Sequence, residues 1–79
     1  MNDIITLNNL EQNHSAVINK VDCGGNLNIR LIDLGFICGT QITYLFSSPF
    51  GDPKAYLVKN AVIALRNKDC ESIYVTPIK

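Results

Sequence analysis

The chain has no tryptophan, one methionine, one histidine and three cysteines, and these scarcities narrow the chemistry open to it. A single imidazole, His14, leaves one side chain for acid–base work at neutral pH, with no oriented third group to make a nucleophile–base relay. Cys23, Cys38 and Cys70 are odd in number, far apart in sequence and without a Cys-x-x-Cys, which is neither a disulfide framework nor a zinc-finger spacing. Charge of one sign is also missing. Seven basic and seven acidic residues cancel and are scattered, so no stripe exists for a phosphate backbone, and nucleic acid is not an expected partner. The longest apolar run, Ala61 to Leu65, falls far short of the roughly 20 residues of a spanning helix, so no direct membrane insertion is expected. No basic start followed by an apolar core marks a secretory leader, and a cytoplasmic location is the expectation. Gly-x-x-x-x-Gly-Lys is absent and the carboxylates have separate turn, cap or surface readings, so an enzyme is not expected.

What remains is a foldable small chain. Of its 79 residues 47% are hydrophobic and 18% charged, enough apolar content for a core, and residues 1–79 are read as a single domain. Such a domain buries only about 60% of the surface its unfolded chain exposes.

Two stretches carry the most local information. Pro49-Phe50-Gly51-Asp52-Pro53 is a turn in which proline fixes φ, Gly51 permits positive φ and Asp52 can bond the backbone. Two apolar runs around Tyr56 and Ile63 follow, separated by Lys59-Asn60, as in a tight β-hairpin. Asp33-Leu34-Gly35-Phe36-Ile37-Cys38-Gly39-Thr40 is the other stretch, where a helix stops at Gly35 and a strand begins near Thr40. Upstream, Leu27, Leu31 and Leu34 form a helical stripe over Asn26 to Leu34, with Asn28 and Arg30 directed away from it. A helical turn at Thr6 to Leu10, a strand at Ser15 to Val21, another placing Ile42, Tyr44 and Phe46 on one face, a helical turn near Asn67 to Glu71 and a strand at Ser72 to Val75 complete the reading. The fold expected is mainly β: a small SH3-like barrel of about five strands that protects its edges by curling, with one α-helix between the first and second strands.

The run Arg30 to Thr40, the Pro49 to Pro53 turn and Ile63 to Arg66 together resemble the FeoA family of small ferrous-iron-transport accessory proteins. Leu7 and Leu10, with Ile73 and Val75, extend the likeness over nearly the whole chain. Asn13 and Asn60 stand where that family usually has Gly, a mild change because Asn tolerates left-handed backbone. Cys38 stands at a usual Pro and Cys70 at a usual Ala. The resemblance implies the SH3-like fold, a non-catalytic role and docking on the cytosolic part of the FeoB-type membrane iron transporter, with its GTPase domain. It implies, as the alternative, a metal- or peptide-sensing domain like those of iron-dependent repressors.

For the docking surface the candidates are Phe50, at the tip of a short loop with little core in reach, Tyr56, and Arg30 on the helix. Fe²⁺ is the metal that the resemblance raises, yet the possible ligands His14, Cys23, Cys38 and Cys70 have no ligand spacing, and Cys38 and Cys70 read as small buried hydrophobes. Cys23 precedes the helix N-terminus, where a lowered thiol pKa would suit a thiol enzyme or redox sensor. An open sheet edge makes a homodimer conceivable.

Overall fold

A computed structural model describes residues 3–78. Strand β1 (Ile5–Thr6) enters a 3-10 turn (Leu7–Asn9), followed by β2 (Ser15–Val21), helix α1 (Gly25–Asp33), β3 (Gln41–Ser47), β4 (Lys54–Val58), β5 (Ala61–Leu65), the one-turn helix α2 (Asn67–Cys70) and β6 (Ile73–Pro77). The strands form one antiparallel sheet in the order β1-β6-β2-β3-β4-β5. Five of the six strands are those expected from the sequence; the two-residue β1 is the addition. Inward residues of β2 to β6, among them Ile18, Ile42, Tyr56, Leu65 and Val75, meet in one buried cluster. Strands that all aim at one center require a curled sheet, and Lys54 Nζ on β4, donating to Asn8 O at 3.0 Å, ties the far strands to the segment after β1.

Helix α1 stops for the reason its sequence suggests. Gly35 takes φ +104°, its N–H donates to Ile32 O, and Phe36 N–H reaches back to Leu31 O at 2.9 Å. This is a Schellman cap, and its usual hydrophobic contact is the burial of Phe36 and Leu31 in the same core. The left-handed positions Asn13 (φ +66°) and Asn60 (φ +69°) are likewise occupied by the residue that tolerates them best after glycine. With Lys59 at φ +50°, the two-residue β4–β5 turn has both central residues at positive φ, the type I′ pattern that matches strand twist.

Alternation fails in β3. Ile42 and Tyr44 are buried as expected, but Phe46 is 55% exposed. The register between β3 and β4 slips between Tyr44 and Phe46, where Leu45 is an extra residue with no partner on β4. A bulge of this kind turns the following side chain out of the face it would have shared.

Candidate functional site

Among the described residues the groove that gathers the most candidate chemistry lies between α1 and β5. Its volume is about 200 Å³. One wall is the helical stripe Leu27, Leu31 and Leu34; the other is β5, and Arg30, Arg66 and Asp69 stand around it. Arg30 therefore does not point away from the leucine stripe. It lies three residues after Leu27 and four before Leu34, spacings that place it on the stripe's border. The helix face opposite carries Ile29 and Ile32, both exposed. Among the described residues neither arginine makes an ion pair, the one side-chain ion pair being the exposed His14–Glu11 contact at 3.8 Å.

Both ends of the groove are tied. At the start of α1 the Cys23 Sγ donates to Asp69 O at 3.6 Å, and Asp22 N–H donates to Ser72 O at 2.8 Å. At its end the aliphatic stem of Lys59 lies over Gly35, so close that a Cβ there would sit 3.0 Å from Lys59 Cδ. The helix thus runs antiparallel to β5, beside its outer edge.

The Pro49 to Pro53 loop is bonded at the other end of the groove, to Asn67 between Arg66 and Asp69. Asp52 Oδ1 accepts from Asn67 N–H at 2.8 Å, and Asn67 Nδ2 donates to Gly51 O at 3.1 Å. Ser48 closes the loop from within, its hydroxyl donating to Asp52 O. These bonds hold the loop against the residue that follows Arg66 and leave Phe50 96% exposed.

Tyr56 has to be removed from the docking surface. It is 0% exposed, its ring lies 5.4 Å from that of Tyr44, and its hydroxyl accepts from the Cys70 thiol at 3.5 Å. Within Ala55-Tyr56-Leu57 every residue is apolar, so alternation alone could not say which faced inward; the register with Ile63 puts Tyr56 inside and Leu57 out. Burial raises the Tyr56 phenol well above its ordinary value.

The cysteines divide three ways. Cys70 is buried, as a small hydrophobe should be, and burial pushes its thiol up to about 11. Cys38 is exposed, contrary to expectation, because it lies in the tight turn between α1 and β3. Cys23 is not an activated thiol. Burial, then the carboxylates of Asp69 and Asp22, raise its pKa rather than lower it, which removes the basis for a thiol enzyme centered there. Among the described residues no three His, Cys, Asp or Glu side chains converge as metal ligands would.

Reading the sequence found Arg30 and Phe50 one by one, and met Arg66 only as the end of the run Ile63 to Arg66. It missed that the two arginines share a groove, which depends on how α1 packs beside β5 and is carried by no local pattern.

The model of the FeoA domain matches residues 5–77. A fusion protein of Porphyromonas gingivalis, joining Fe²⁺ transport protein A to Fe²⁺ transporter FeoB, is 32% identical over 69 residues. Those residues are 87% of this chain and only 8% of that protein. The FeoA protein of Chlorobium tepidum superposes with TM-score 0.90 at 25% identity, over 95% of this chain and 71% of that one. Zinc-complexed FeoA of Stenotrophomonas maltophilia, an SH3 domain protein, does so with TM-score 0.78 at 31% identity, over 90% and 88%. An IdeR of T. acidophilum shares the fold alone, at 21% identity and TM-score 0.81, over 95% of this chain and 34% of that one.

Proposed function

This chain belongs to the FeoA family, and from that premise we propose that it is a non-catalytic accessory protein of ferrous-iron transport, working in the cytoplasm by docking on the cytosolic part of a FeoB-type transporter. The observation that carries the reading is the relative in which Fe²⁺ transport protein A and Fe²⁺ transporter FeoB are one polypeptide. Fusion keeps two modules at high effective concentration, which is useful where the separate proteins must meet.

The geometry suits docking better than chemistry. Exposed Phe50 on a braced loop is a preorganised aromatic anchor, and the guanidiniums of Arg30 and Arg66, without ion-pair partners among the described residues, suit carboxylates of a partner. On this reading the chain modulates the transporter's uptake or its GTPase cycle by contact, the chemistry being the transporter's own.

Radioiron uptake by cells making the transporter tests the role. Uptake is expected to change when this chain is supplied and to return to the level without it when Phe50→Ala and Arg30→Ala are combined. Identical uptake with and without the chain would end the proposal.

A further inference from the structure

The two edges of the sheet are treated differently. At one edge β1 is two residues long, too short to template another strand. At the other, β5 is five residues, Ala-Val-Ile-Ala-Leu, with none of the lysines, prolines or bulges that protect an exposed edge, and among the described residues its one strand partner is β4. In a two-residue hairpin the closing pair, Val58 and Ala61, is hydrogen-bonded, so Val62 and Ala64 turn their N–H and C=O groups away from β4. Val62 is 61% exposed.

That free edge opens into the groove already described. Three consecutive β5 residues, Ile63 to Leu65, line it, with Arg66 just beyond the strand. A sheet face would contribute alternate residues, so the consecutive run means that the groove follows the strand's edge. Opposite, α1 contributes one helical face and, tied at both ends, stands off far enough to leave the groove open. An edge strand and a helix face with an apolar floor between them form the receptor geometry of strand addition.

We propose that the groove binds an extended segment of the docking partner as a seventh strand on β5, antiparallel or parallel, with apolar side chains at alternate positions and at least one carboxylate. The carboxylate follows from charge: Arg30 and Arg66 flank the groove without ion-pair partners among the described residues, against the single acid Asp69. Main-chain bonds to Val62 and Ala64 supply register, and the leucines of α1 select the apolar positions. The inference rests on the docking reading for the partner's identity, and on the groove alone for what the segment looks like.

Selection of phage-displayed random short peptides on the wild-type chain tests it. The winners are expected to alternate apolar residues, to carry Asp or Glu, and to shift the amide resonances of Val62 and Ala64. Ala64→Pro deletes an outward N–H without touching the β4 ladder and is expected to weaken them at least about tenfold. Should that variant fail to melt cooperatively, Arg30→Glu with Arg66→Glu takes its place, and the same peptides are expected to lose binding while Lys-substituted versions gain it. Three results overturn the proposal: no enrichment, winners indifferent to both variants, or a wild-type dimer in which the Val62 and Ala64 amides are protected by a second copy. Binding of the transporter's cytosolic domain is measured in parallel. Its survival in a folded Ala64→Pro variant removes the strand-addition inference and spares the docking reading; its absence in wild type, with peptide binding intact, does the reverse.

Discussion

The carboxylate of Asp52 accepts the backbone N–H of Asn67 at 2.8 Å, so the loop after β3 is bonded to the first residue of α2. The most recognizable stretch of the sequence is thereby explained as a brace. Asp52→Ala leaves that N–H without its charged acceptor and is expected to lower stability by about 1–2 kcal/mol, with Asp52→Asn losing less. Urea unfolding of the three proteins checks this; equal midpoints would mean that the bond contributes nothing.

Of the two aromatic residues that the sequence places on the docking surface, Phe50 is exposed and Tyr56 is buried. Truncating the fully buried Tyr56 to Ala opens a core cavity and is expected to cost about 3–5 kcal/mol, a large share of what so small a domain has. Phe50→Ala, at a side chain in water, is expected to move stability by no more than about 0.5 kcal/mol. Thermal melting of both variants separates a core residue from a surface one.

Backbone conformation at the two turns bordering the groove gives a paired expectation. Asn60→Gly relieves left-handed strain in the hairpin and should raise stability by about 0.5–1 kcal/mol. Gly35→Ala forces a Cβ onto φ +104° and against the Lys59 stem, and should lower it by about 1–2 kcal/mol. Chemical denaturation with unchanged m-values is the readout.

Cys70 couples stability to alkaline pH. Its thiol rises from the ordinary 9.0 to about 11 on folding because burial disfavors the thiolate. A raised pKa means that the folded state holds the proton more tightly, so this contribution is complete below pH 9.0 and is lost as pH climbs toward about 11. Melting temperatures measured over that window are expected to fall more steeply for wild type than for Cys70→Ala; parallel curves would refute the assignment.

Local signals were legible where one residue type answers to one backbone need. Gly35 ends α1, Asn13 and Asn60 adopt positive φ, and Cys70 is buried. They fail where neighbouring residues are chemically alike. Tyr56 among apolar neighbours has no telltale period, Phe46 is turned outward by a bulge that no residue near Leu45 announces, and Leu34 is exposed although it completes a leucine stripe. The site is the least legible part: Arg30 and Arg66 become one feature only when α1 is laid along β5, a tertiary relationship set by ties at Cys23–Asp69 and Lys59–Gly35.

Docking itself is tested most directly by equilibrium binding of the fluorescently labelled chain to the detergent-solubilised full-length transporter. Saturable binding is expected for wild type, weakened at least about tenfold, or 1.4 kcal/mol, when Phe50→Ala and Arg30→Ala are combined, with both proteins melting alike. Absence of saturable binding would contradict the account, and full retention by the folded double variant would take Phe50 and Arg30 out of it.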